Sequence, residues 1–187
     1  MHEIIGKIAL RSEADTISIT PSPRTRETLT QDLTNAGLTP GITVIVHSSL
    51  SSLGWVCGGA VTVIQALMDV VTSVATLVMP THSTDYSEPE PWQNPPVPCE
   101  WWQIIRYTMP AYDARITPTR KMGKIVEVFR TCKNVLRSSH PNYSFAAWGQ
   151  NAEFIVKNHS LNYSLGEESP LARLYDLNGY VLLLGTQ

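Results

Sequence analysis

Two short apolar runs, Thr43-Val44-Ile45-Val46 and Ala75-Thr76-Leu77-Val78-Met79-Pro80, flank a segment in which Val61, Ile64, Leu67, Met68 and Val71 recur at helical spacing. β-Branched residues in such runs favour buried strands. A strand, a helix and a second strand in this order predict a βαβ unit, hence an α/β fold with a central, largely parallel or mixed sheet flanked by helices. The connection leaving the first strand is His47-Ser48-Ser49-Leu50-Ser51-Ser52-Leu53-Gly54-Trp55-Val56-Cys57-Gly58-Gly59. A small, hydroxyl-rich, glycine-containing loop before a helix can offer backbone N–H groups and a helix N-terminus to an anion, so a phosphate-bearing ligand fits it. An ordinary polar connection with glycines for turn geometry fits it too, because the stretch matches neither the dinucleotide fingerprint nor the P-loop.

The chain of 187 residues is long enough to bury one substantial core, and one domain is expected. Charged residues make up only 16% and the net charge is −2, so nothing resembles a basic nucleic-acid footprint. Cys57, Cys99 and Cys132 are far apart, with no zinc-type spacing, and read as free thiols of a reducing, cytoplasmic compartment; no metal site is expected. The first eleven residues, interrupted by Glu3 and Lys7, lack the apolar core of a signal peptide, and no run approaches a membrane span.

Residues 1–23 end in Thr20-Pro21-Ser22-Pro23 and read as an extended or poorly ordered lead-in. Arg24 to Ala36 predicts a helix stopped by Gly37. Residues 81–99 carry His82, Asp85, Glu88, Glu90, Trp92 and five prolines, an irregular excursion of the length that is usually functional. Trp101 and Trp102 begin a short helix, where they pack in the core or stack on a ligand. Thr117-Pro118 has the form of a cap with proline at the first helical position, predicting a helix towards Cys132. Val135-Leu136 is a brief strand, Asn151 and Ser169-Pro170 open two further helices, and Tyr180 to Gly185 forms a last strand.

Among titratable groups, His140 lies in a serine- and proline-bounded loop and is the candidate general base, or else a structural histidine. Glu167 and Glu168 precede a helix, where they complement its dipole or attract a cation. Cys57 admits a cysteine-hydrolase alternative, without a histidine that sequence places beside it.

The ordered set formed by His47 to Gly54 with Gly58-Gly59-Ala60, Leu77 to Pro80, Pro95 to Pro98 with Trp101-Trp102, Thr117 to Arg120 with Met122-Gly123, Arg137-Ser138 with His140-Pro141, Ser144 to Ala147, and Gly166-Glu167 with Ser169 to Leu171 resembles the aminoglycoside 3-N-acetyltransferase family. The resemblance implies one α/β domain over residues 24–187. In it His47, Ser48, Ser49, Leu50, Ser51, Ser52, Thr117, Thr119, Arg120 and Met122 hold acetyl-coenzyme A. Asp85, Glu167 and Glu168 draw a cationic aminoglycoside, in a monomer or homodimer. It further implies direct acetyl transfer to the 3-amino group, conferring antibiotic resistance. Family members continue beyond the last strand and carry a His-Leu-x-Glu motif with the expected base, which by this resemblance falls beyond Gln187. That motif is absent from these 187 residues, so a coenzyme A-binding remnant without transfer is the alternative, with apolar surface left open at the last strand. Ala75 replaces a usual glycine, an expected strain on the preceding turn.

Overall fold

The structure, a computed structural model, describes residues 12–186. The expectations for residues 1–11, for Gln187 as the last residue of the domain and for a base beyond Gln187 lie outside the described residues. The expected βαβ unit is present: β1 (Thr43–Ser48), α3 (Gly59–Val71) and β2 (Thr76–Pro80), the strands parallel with Thr43 opposite Thr76 and Ile45 opposite Val78. α1 (Glu13–Ile19) and α2 (Arg26–Asn35) precede it. After it come α4 (Trp102–Thr108), α5 (Lys124–Phe129), β3 (Leu136–Arg137), β4 (Phe145–Gly149), α6 (Ala152–Val156), α7 (Pro170–Asp176) and β5 (Tyr180–Leu184).

The sheet order is β3-β4-β2-β1-β5, with β5 parallel to β1 and β4 antiparallel to β2 and β3. Successive strand residues point to opposite faces, which divides the core in two. Val44, Val46, Leu77 and Met79 pack with Leu29 and Leu33 of α2, Ile64 and Leu67 of α3 and Phe129 of α5. Ile45, Val78, Phe145 and Ala147 pack on the other face with Ile155 of α6 and Leu174 of α7. Burial on both faces explains why β1 and β2 are apolar at successive positions. Edge strand β5 leaves Val181 and Leu183 65% and 55% exposed, as expected for this strand. Among the described residues no helix is long and apolar enough to cross a membrane.

Three local expectations change. Residues 13–19 are helical, because Ser12 and Asp15 form a reciprocal capping box that starts α1 despite its β-branched residues. No helix begins at Pro118; α5 starts only at Lys124, after Gly123 at φ 85°, because the backbone of Thr117 and Thr119 is engaged by Arg137 and Glu127. Ala75 is not left-handed; Thr72, at φ 62°, takes the turn instead. β4 had no counterpart in the sequence reading.

Gly149 closes β4 at φ 101°, and a Cβ there would lie 2.1 Å from the Ala75 carbonyl oxygen. That oxygen accepts a 2.8 Å bond from the Gln150 N–H, so it cannot retreat freely. Gly37, at φ 97°, has nothing within 4 Å of such a Cβ. Gly149→Ala is therefore expected to cost at least about 3 kcal/mol and Gly37→Ala about 1 kcal/mol in urea unfolding. Equal losses would show that left-handed backbone strain, not the close approach to Ala75, governs this strand end.

Candidate functional site

At the carboxyl end of β1, the side of an open α/β sheet where ligands collect, lies a cavity of about 540 Å³. Its floor is Ser48, Ser49, Leu50 and Ser51 of the opening loop, and Gly59 at the head of α3. Lys121, Met122 and Gly123 of the coil before α5, with Lys124 at the start of that helix, line it as well, as do Glu13 and Thr16 of α1 with Trp55. Residues 50–52 form a single 3₁₀ turn in which the Ser49 hydroxyl meets those of Ser51 at 3.3 Å and Ser52 at 2.9 Å. α3 has no side-chain cap: Gly58, at φ 80°, leaves no room for one, since its Cβ would lie 2.4 Å from Thr62 Oγ1. The first-turn N–H groups of a helix have no intrahelical acceptor, which makes this end an anion-attracting pole. The Ser48 Oγ is buried without a partner among the described residues. A desolvated hydroxyl left unpaired costs about 1–3 kcal/mol, so its position beside the cavity fits a ligand that bonds to it.

Of the residues expected at the cofactor, Ser48, Ser49, Leu50, Ser51 and Met122 meet here. Five do not. His47 is exposed and, as the strand neighbour of Ser48, points to the opposite face. Ser52 lies in a separate hollow with Thr20 and Arg24. Thr117 is buried, its Oγ1 accepting from the Asp113 N–H at 3.0 Å. Thr119 gives its N–H and hydroxyl to Glu127 Oε2 at 2.9 and 2.7 Å. Arg120 belongs to an adjoining hollow of about 320 Å³ lined also by Asp85, Trp92, Asn94, Pro95 and Lys121. There Arg120 Nη1 stands 3.4 Å from Asp85 Oδ2. Glu167 and Glu168 are exposed on the loop before α7 and line neither space. Trp55, Lys121 and Lys124 lay within reach of sequence reasoning as an aromatic and two cations beside glycines; the α1 wall did not.

The segment carrying Lys121 to Lys124 is held from below. Burial alone would raise the Glu127 carboxyl, but the hydrogen bonds from Arg130 and Thr119 outweigh it and hold the group at about 2. Arg137 donates to the carbonyls of Thr81 (2.6 Å) and Thr117 (2.5 Å) and to the hydroxyls of Thr81, Ser83 and Ser144 (3.2, 2.9 and 3.1 Å).

His140 is not placed for base catalysis. Its ring is 4% exposed; Nδ1 accepts the N–H groups of Asn142 and Tyr143 at 3.1 and 3.0 Å, so Nε2 carries the proton and donates to Ser164 Oγ at 2.9 Å. It packs 4.7 Å, centroid to centroid, from His159, whose Nε2 donates to the Ser164 carbonyl at 2.6 Å. His82, half-buried, has its ring edge-on to both Tyr143 and Phe145, each 5.3 Å away between centroids. The base that the resemblance assigns to the sequence beyond Gln187 is outside the described residues, and among those described no histidine lines the cavity in its stead. Cys57 is exposed, and no histidine bonds to it among the described residues. No group of residues able to hold a metal occurs among those described.

Together these features define a three-layer α/β protein with a cavity, lined in part by two lysines and the head of α3, at the carboxyl end of β1. The aminoglycoside 3-N-acetyltransferase profile matches residues 45–187, and the chain belongs to that family. A curated relative, the SPbeta prophage-derived aminoglycoside N(3')-acetyltransferase-like protein YokD of Bacillus subtilis (strain 168), is 58% identical over 90% of this chain and 62% of its own length. The crystal structure of YokD superimposes with a TM-score of 0.91 at 55% identity, covering 93% of this chain and 65% of that one. Aminoglycoside N(3)-acetyltransferase VII of Streptomyces paromomycinus is 38% identical over 87% of this chain and 56% of its length. A structure of AAC-IIIb, binary with CoASH, matches with a TM-score of 0.75 at 34% identity, over 87% of this chain and 59% of that one. The chain thus spans about three fifths of the length of these relatives.

Burial, with the neighbouring charges of His47, His140, His159 and Arg137, pushes His82 down to about 4; burial also lowers His140 and His159. Below about pH 6.5 the unfolded chain takes up protons that the folded rings refuse, so stability falls as pH drops from about 6.5 towards 4. Solvent screening of the partly open His82 ring limits its share to about 1–2 kcal/mol. Urea unfolding between pH 7 and 4.5 should show this slope, and His82→Gln should flatten it; an unchanged slope would remove His82 from the account.

Proposed function

We propose that the chain carries the coenzyme-binding half of an acetyl transfer from acetyl-coenzyme A to the 3-amino group of an aminoglycoside. Such a transfer modifies the antibiotic and confers resistance. The observation that carries this reading is the cavity itself: a buried, unpartnered Ser48 hydroxyl, two lysines and an uncapped helix end around one apolar-lined space. Coenzyme A is a long apolar-and-amide arm attached to phosphates, and this cavity offers both kinds of surface. AAC-IIIb, matched over 87% of this chain, has been solved with CoASH, which supports the assignment.

Acetyl-coenzyme A supplies an acyl thioester when bound. The residues of this chain hold and orient it. Lys121 and Lys124 meet phosphate charge, the first turn of α3 adds N–H donors, and Leu50, Val56 and Met122 keep water from the arm. Ser48 Oγ becomes a donor or acceptor already in place, with no reorganisation required. The adjoining hollow shares Lys121 with the cavity, so an acceptor held there lies next to the coenzyme. Asp85 is its carboxylate, and a polycationic sugar amine competes with Arg120 for it across a long, partly exposed pair of the kind that contributes little by itself. The reading also places the protein in the cytoplasm, where acetyl-coenzyme A is made and used.

Calorimetric titration with coenzyme A tests the cofactor half, and acetylation of an aminoglycoside by the purified chain tests turnover. Lys121→Ala with Lys124→Ala should weaken coenzyme A by about 10–100-fold, more at low than at high salt. Ser48→Ala should lower affinity several-fold while leaving the ligand-free protein as stable or slightly more so, because it removes an unsatisfied buried group. Wild-type affinity in both variants would overturn the cavity assignment. Turnover lost on coenzyme A-competent wild type would leave this chain a binding protein of the family.

A further inference from the structure

α1 lies outside the residues that match the family profile, yet it forms a wall of the cavity. Only one of its side chains, Thr16, is buried, while Ile17 and Ile19 are 52% and 56% exposed. Among the described residues, apolar packing therefore contributes little to holding it. The side-chain hydrogen bonds that α1 and its cap Thr20 make to the rest of the fold, among those residues, include two to one residue of the opening loop. Trp55 Nε1 donates to Glu13 Oε1 at 3.1 Å, and the Trp55 N–H donates to Thr20 Oγ1 at 2.9 Å. Behind α1, the Arg24 N–H donates to the Trp55 carbonyl and the Cys57 N–H to the Arg24 carbonyl, both at 2.9 Å. A seven-residue helix is marginal alone, and one fixed by a few surface hydrogen bonds opens at low free energy.

The cavity is also electrically sided. Glu13 lines it from α1, Lys121 from the coil before α5 and Lys124 from the start of that helix. A carboxylate repels phosphate and accepts bonds from N–H and O–H groups. Resting on the coenzyme A reading above, we propose that α1 is a movable wall that closes over the bound coenzyme, with Glu13 a positioning residue. Glu13 receives the amide N–H or hydroxyl donors of the pantetheine arm and, through Trp55, fixes the opening loop. The phosphates then lie at the lysine wall, and the arm can enter in one direction only. Glu13 selects for a ligand that has the arm, not merely the phosphates.

The test compares coenzyme A with ADP, which has phosphates and no pantetheine arm, by calorimetry on the full chain. Glu13→Ala should weaken coenzyme A about tenfold while ADP binds as well as or better than to wild type. Trp55→Phe should weaken coenzyme A similarly, with the double variant little worse than either single one, since both break one latch. Glu13→Gln, which keeps an acceptor, should recover part of the loss. Hydrogen exchange at residues 13–20 should slow on adding coenzyme A, with the unfolding temperature of each ligand-free variant checked against wild type. Unchanged coenzyme A affinity in Glu13→Ala, an equal loss for ADP, or no added protection in α1 overturns the proposal while the cavity assignment stands. Failure of the wild type to bind coenzyme A overturns both.

Discussion

The Arg137 guanidinium joins parts of the chain that no strand or helix connects. It sits between the ends of β2 and β4 and the coil before α5, its hydrogen bonds reaching residues 81, 83, 114, 117 and 144. Burial lowers its pKa, and among the described residues no carboxylate forms an ion pair with it; carbonyl and hydroxyl oxygens, and the face of Tyr112 at 5.2 Å, stabilise the charge instead. A cation solvated this way is costly to disturb, because every acceptor it leaves is itself buried or half-buried. It also has a directional effect. Fixing Thr117 fixes where residues 119–124 begin, the Glu127–Arg130 pair fixes Thr119, and those residues are the lysine wall of the cavity.

This arrangement explains which sequence signals held and which did not. β1, α3 and β2 were legible because their apolar periodicities are strong and local. Ser169-Pro170 did open a helix, with Ser169 Oγ accepting the Ala172 N–H. Thr117-Pro118 carries the same signal and opens none, since Arg137 donates to the Thr117 carbonyl and the Glu127 carboxylate accepts the Thr119 N–H. β4, Phe145-Ala146-Ala147-Trp148-Gly149, went unseen because two alanines carry no strand preference; burial between two neighbouring strands makes them strand residues. His140 looked like a base for the reason that makes it structural. Its loop bends back so that two successive backbone N–H groups reach Nδ1, a geometry that residue type alone does not disclose.

The site was legible by half. A serine- and glycine-rich connection after a buried strand marks a loop open to a ligand, and Ser48 to Ser51 line the cavity. Its walls are made by contacts across 35 to 42 residues between α1 and Trp55, and by a coil whose course depends on Arg137. Local pattern can assign the floor of such a cavity; its walls require the fold.

Lys121 is where the two spaces are joined. It is a non-glycine residue at φ 57°, a left-handed conformation that costs about 1 kcal/mol or more and persists only where the surroundings fix it. The constraint has a geometric result: Arg120 faces the hollow with Asp85, Met122 faces the main cavity, and Lys121 borders both, its Nζ donating to the Asn94 carbonyl at 3.3 Å. In an extended or helical course, three successive residues would not distribute themselves between two adjoining spaces in this way. Under the proposed reading, a phosphate at Lys121 on one side and a cation at Asp85 on the other would be brought together across a single side chain. The left-handed turn sets how the two spaces adjoin, and its position is held, through Thr119 and Thr117, by Glu127 and Arg137.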